Sequence, residues 1–95
     1  MSKLQYRSKT GIISEILDVI MDAGSGGAII SSISRRTNLS HYVSIENCQK
    51  LIDAGMVQSS KTDKNHIFVV TEKGIQFFHE LQKFMEMAKS IQIRF

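Results

Sequence analysis

At 95 residues, with 42% apolar and 22% charged side chains, the chain has the composition of one small globular domain and not of a disordered tail. One cysteine, Cys48, excludes an intrachain disulfide and offers no metal-site spacing, and no apolar run approaches the ~20 residues of a membrane span. Twelve basic against nine acidic side chains leave a formal charge of +3 and a pI of about 9.2, a surplus whose placement matters more than its size.

Ser8 to Ala23 carries Ile12, Ile13, Ile16, Leu17, Ile20 and Met21 at helical spacing, with Glu15, Asp18 and Asp22 on other faces. The spacing predicts a first helix over 8–23, capped by Ser8 and stopped by Gly24-Ser25-Gly26-Gly27. A short second helix is expected over 28–37, anchored by Ile29, Ile30 and Ile33. Its serines and terminal threonine are mediocre helix formers, so tertiary packing must hold it. Asn38-Leu39-Ser40 then makes a turn in which Leu39 faces the core and Ser40 caps the next helix.

The third helix is expected over 40–54. Ile45, Cys48, Leu51 and Ile52 mark its inner face, with Ser44 at the margin; Tyr42, Val43, Glu46, Gln49, Lys50 and Asp53 mark the other. Cys48 reads as a small buried hydrophobe. Gly55 fits the left-handed position that ends helices. Gln58 to Val69 reads as two short strands around the polar turn Lys61-Thr62-Asp63-Lys64-Asn65, giving a hairpin over 57–71. A last helix, capped by Thr71, is expected over 72–93. Phe77, Leu81, Phe84, Ala88, Ile91 and Phe95 fall at alternating spacings of four and three, the seam of a coiled coil, thickened by Ile75, Phe78 and Met85. Ile75 and Phe78 are expected to cover the core.

Helix, hairpin, helix within so few residues is the layout of a winged helix-turn-helix, here one domain over 1–95, mostly α with a small β-hairpin. That layout points to double-stranded DNA. A helix fits the major groove, and the turn before the third helix sets its angle. The expected contacts are Tyr42, Val43, Glu46 and Lys50 near the bases, with Ser40 and the helix N-terminus receiving a phosphate. Arg7, Lys9, Arg35 and Arg36 would anchor the backbone, and Lys61, Lys64 and Asn65 would form the wing contact. Against this, the third helix sets Glu46 and Asp53 against a lone Lys50, a formal charge of −1. Either Glu46 accepts from a cytosine amino group or it pairs with Lys50 at i, i+4. The acidic face also suits a rival role, docking to another protein.

The apolar stripe of the last helix continues after the compact module should be complete. Left exposed on a monomer, it would be an aggregation-prone patch. A homodimer through Leu81, Phe84, Met85, Ala88, Ile91 and Phe95 would cover it and present two recognition helices.

Catalysis is not expected. His41, His66 and His79 are scattered, no metal or acid–base spacing occurs, and Gly24–Gly27 lacks the lysine and preceding strand of a phosphate loop. No cofactor, small-molecule ligand or membrane partner is evident. The basic N-terminus lacks an apolar signal core, so a cytoplasmic, nucleoid-associated setting is expected.

Tyr6-Arg7-Ser8-Lys9 with Ile12-Ile13 and Ile16-Leu17 is similar to the opening of the small archaeal winged-helix DNA-binding proteins. These are typified by the ten-kilodalton Sulfolobus chromatin-associated proteins and related archaeal regulators. Asn38-Leu39-Ser40, Leu51, Gly55-Met56-Val57 and Thr71-Glu72-Lys73-Gly74 resemble its later landmarks in order. The resemblance implies a winged helix whose long final helix pairs with a second copy, usually antiparallel, and cofactor-free binding of nucleic acid. Its role would be that of a transcriptional regulator or nucleoid-associated protein. The chain departs from the family pattern at Ser34, Ser44 and Asn47, where apolar or aromatic residues are usual, and its final helix is shorter than in the best-known members.

Overall fold

A computed structural model describes residues 8–91. The first helix, α1, runs Lys9–Ala23, and the Ser8 hydroxyl caps it by accepting the Gly11 N–H at 3.0 Å. Its apolar residues are spread widely enough that it is the central helix, with Ile16, Leu17 and Ile20 completely buried and Val19 nearly so. Each such side chain contributes roughly 2 kcal/mol by leaving water. One 3-10 turn, Gly24–Gly26, follows.

The second segment corrects the sequence expectation. Ala28–Ile29 is a strand, β1, and the helix α2 begins only at Ile30 and runs to Thr37. Ala28 pairs with Phe68 and Ile29 with Ile67, so the hairpin strands β2 (Val57–Lys61) and β3 (His66–Val70) become the edge and centre of a three-stranded antiparallel sheet, ordered β1-β3-β2. Gly27 is what permits it. Its φ is 81°, and a Cβ there would stand 3.0 Å from the Ile67 Cβ, so only a bare backbone comes this close to the neighbouring strand. The pairing gives two residues ladder hydrogen bonds that a frayed first helical turn would lack.

Helix α3 covers His41–Asp53, strand β2 Val57–Lys61, strand β3 His66–Val70 and helix α4 Glu72–Ser90. The last helix was expected to reach residue 93; it stops at Ser90, with Ile91 as its cap. Ile33 of α2, Cys48 and Leu51 of α3, Val57 of β2 and Phe68 of β3 close the core around α1. Helix α4 lies against α1, and Gln82 donates to the buried Ser14 hydroxyl at 3.2 Å.

Two inner-face assignments change. Ser44, expected at the margin of α3, is fully buried, whereas Ile45, expected inside, is 45% exposed. Ser44, Cys48 and Leu51 define the buried stripe at i, i+4 and i+7, and Ile45 lies about 100° further round the helix from Ser44. On α4, Phe77 and Phe78 pack half-buried against the core, but Ile75 is exposed. No helix among the described residues is long and apolar enough to cross a membrane.

Candidate nucleic-acid interface

The turn between α2 and α3 is determined from both sides. Asn38 adopts the left-handed conformation, φ 57°, which asparagine tolerates better than most residues. Its N–H reaches the Arg35 carbonyl at 3.3 Å and the Leu39 N–H reaches the Ser34 carbonyl at 3.1 Å, satisfying acceptors that the end of α2 leaves open. The Ser34 hydroxyl donates to the Leu39 carbonyl, and Leu39 packs against the core. Ser40 then caps α3 by accepting the Val43 N–H at 3.1 Å, which leaves its hydroxyl proton available to another acceptor.

Of the polar residues Ser34, Ser44 and Asn47, two are satisfied locally. Ser34 serves the turn, and Asn47 donates to the Val43 carbonyl at 2.9 Å. Ser44 is the exception: its buried hydroxyl has no partner among the described residues.

With its inner stripe committed, α3 leaves His41, Tyr42, Ile45, Glu46, Gln49, Lys50 and Asp53 exposed. Tyr42 is the most open of the large apolar side chains among the described residues, at 72%. Val43, expected among the base contacts, is half-buried. The Glu46–Lys50 pair does not form among the described residues; the side-chain link on this face is Gln49 to Asp53, 2.9 Å. His41, Ile45 and Gln49, none of them among the expected contacts, are exposed on this helix as well. Gln49 was placed on the outer face without a role, and Ile45 was hidden by its apolar character.

The expected backbone anchors are not one cluster. Arg36 is bound to Asp22 of α1 at 3.1 Å, which ties the end of α2 to α1 and partly neutralises the guanidinium. Arg35 beside it is exposed. Lys9, exposed in the first turn of α1, lies about 20 Å along the helix axis from Asp22, at the far end. Arg7 lies outside the described residues.

Strand β2 exposes four of its five residues, so the hairpin projects from the domain. Its tip is closed by the Thr62 N–H to the Asn65 carbonyl at 2.8 Å and by the Asn65 N–H to the Thr62 hydroxyl at 3.1 Å. Lys61, Lys64, Asn65 and His66 are all exposed around that tip, with Asp63 between them.

The other end of α3 is bolted to α4. Gly55, φ 79°, and Met56 return their N–H groups to Ile52 and Leu51, both at 2.9 Å, closing a Schellman motif. Thr71 caps α4 by accepting the Gly74 N–H at 3.0 Å and donates its own proton to the Gly55 carbonyl at 2.7 Å. Lys73 donates to the Ala54 carbonyl at 3.1 Å, a cation on the negative end of α3.

A capped helix on a tight turn after a shorter helix, followed by a projecting hairpin, is the arrangement matched by a family model described as winged helix-turn-helix, over residues 6–89. The chain belongs to the winged helix-turn-helix family. No curated protein sequence matches it significantly. Among solved structures, this winged helix-turn-helix chain is similar to Sso10a-2, a DNA-binding protein from Sulfolobus solfataricus. The TM-score is 0.80 at 16% identity, covering 90% of this chain and 86% of that one. It is also similar to a MarR-family transcriptional regulator from Rhodococcus, with a TM-score of 0.77 at 15% identity over 87% of this chain and 61% of that one. A third is a mutant of MepR from S. aureus bound to an oligodeoxyribonucleotide. There the TM-score is 0.71 at 12% identity, over 84% of this chain and 61% of that one. At these identities the likeness establishes the fold. The chain thus spans about three-fifths of those two longer regulators. The winged helix-turn-helix family is not one of enzymes, in keeping with a sequence that offers no nucleophile–base spacing.

On α4 the expected dimer residues separate into two sets. Leu81 and Ala88 are buried within the single chain and Met85 is half-buried, whereas Phe84, Met87 and Ile91 are 54%, 66% and 63% exposed. Met87 was absent from the predicted seam, and Phe95 lies outside the described residues.

Proposed function

We propose that this protein binds duplex DNA as a homodimer, in a regulatory or nucleoid-associated role, with α3 in the major groove and the hairpin as a wing on the adjacent backbone. The observation that carries this reading is the exposed outward face of α3, on a helix held at both ends. Tyr42, Glu46 and Lys50 face the bases, and Arg35 and the Ser40 cap meet the phosphates flanking them. Arg36, already paired with Asp22, orients the end of α2 and contributes less charge than the sequence implied. Lys61, Lys64 and Asn65 reach outward from the hairpin tip. The resemblance to proteins described as DNA-binding, one of them bound to an oligodeoxyribonucleotide, supports the same reading.

The dimer is assigned to the flank of α4 carrying Met87 and Ile91, beside Phe84, since Leu81 and Ala88 are already covered.

A gel shift with random-sequence duplex at low salt, repeated at high salt, tests the central claim. Binding that weakens steeply with salt is expected. One observation favours a second reading: Glu46 and Asp53 stand on α3 without the Glu46–Lys50 pair that would mask one of them. Failure to bind any duplex at low salt would replace the DNA reading with docking to another protein.

A further inference from the structure

We infer that α3 selects A·T base pairs, with Ile45 against the thymine methyl group and Gln49 on the adenine edge; this rests on the duplex-binding reading above. Ile45 is an aliphatic side chain 45% exposed on the outward side of the helix, where it contributes little to the core. Gln49 is exposed one turn further on. Residues at i and i+4 sit one above the other, about 6 Å apart, close to two base-pair rises along the groove. Successive turns of the helix therefore meet base pairs about two steps apart.

The chemistry of the two side chains matches one kind of pair. In the major groove only thymine presents a methyl group, and adenine presents N7 as acceptor beside N6–H as donor, the complement of a primary amide. The Gln49 amide is already oriented: its nitrogen donates to Asp53 at 2.9 Å, leaving its carbonyl and second N–H for a base edge. Preorganisation of this kind reduces the rotamer entropy lost on binding. Guanine, by contrast, offers two acceptors and is read best by the arginine fork, and α3 contains no arginine. Its only lysine is Lys50. Glu46 can accept from an exocyclic amino group, which both cytosine and adenine present in the major groove.

The test uses the unmodified protein first, with three duplexes of equal length: an A·T-rich one, the same sequence with uracil in place of thymine, and a G·C-rich one. Uracil removes only the methyl group. The expected result is a loss of about fourfold for each methyl contact removed, the equivalent of one buried methyl. The Ile45→Ala variant is expected to bind the thymine and uracil duplexes equally. Gln49→Ala is expected to lower the preference for A·T over G·C by about tenfold. Equal affinity for all three duplexes, with the salt dependence intact, would overturn this inference and leave DNA binding standing. A thymine preference that persists in Ile45→Ala would overturn the assignment to Ile45. Absence of binding to every duplex at low salt would overturn both readings.

Discussion

Ser44 and Cys48 sit one turn apart on the buried stripe of α3, and both are polar atoms in an apolar setting. The Ser44 hydroxyl is fully buried without a partner among the described residues, a desolvation cost of about 1–3 kcal/mol. Ser44→Ala removes the hydroxyl and improves helix propensity, so the urea midpoint should rise, by about 1 kcal/mol in stability. A fall in midpoint would mean the hydroxyl has a partner after all. Cys48 gives a pH dependence. Burial holds its thiol neutral and raises the pKa from 9.0 to about 11. Because the folded value lies above the unfolded one, the associated stability is complete below pH 9 and is lost as pH rises toward 11. The stability difference between the native protein and Cys48→Ala should therefore shrink across that window. A constant difference would show that the thiol titrates normally.

At the scale of elements, the junction of α3, β2 and α4 leaves no room for a side chain at Gly74. A Cβ on Gly74 would stand 2.1 Å from the Met56 carbonyl oxygen and 2.9 Å from a Val70 methyl. The first obstacle is backbone and cannot rotate away, so Gly74→Ala should cost at least about 3 kcal/mol in chemical denaturation. Gly26→Ala, with nothing within 4 Å of the new methyl, should be close to neutral. Equal effects would mean the junction yields. The wing makes a different demand, since its tip contributes charge and little packing. Replacing Lys61 and Lys64 together by alanine should weaken binding to all duplexes alike and reduce the slope of log affinity against log salt by about 1.8. An unaltered slope would remove the wing from the contact surface.

For the whole molecule, the question is what covers α4. Met87 and Ile91 are among the most exposed apolar side chains described, and a lone soluble domain gains nothing from them there. Substituting both by glutamate places charge on this flank without touching the buried Leu81 or Ala88. Sedimentation equilibrium should then report one chain mass, against the two expected of the native protein. A native protein that already sediments as one chain, or a double variant that still gives two, would move the interface elsewhere. In the proposed dimer, the separation of the two α3 helices would set the half-site spacing, ~34–36 Å for one helical turn.

Local chemistry made much of this protein legible from residues alone. Ser8, Ser40 and Thr71 cap the helices the sequence assigned them, and Gly55 turns where a left-handed residue was expected, because capping depends on a few neighbouring atoms. The periodicity of α1 and the hairpin around Lys61–Asn65 were readable for the same reason. What required the tertiary structure was everything set by distant segments. Ala28 and Ile29 form a strand because Phe68 and Ile67 lie beside them, far away along the chain. Ser44 is inside and Ile45 outside because the centre of the buried stripe depends on where α1 and α2 press on α3, which hydropathy does not encode. Arg36 is engaged by Asp22, and Leu81 and Ala88 are covered by their own chain, so charge and apolarity that looked available in the sequence are partly committed already. Turns and caps were determined by near neighbours; which face points outward, and so what the protein offers a partner, was decided by packing.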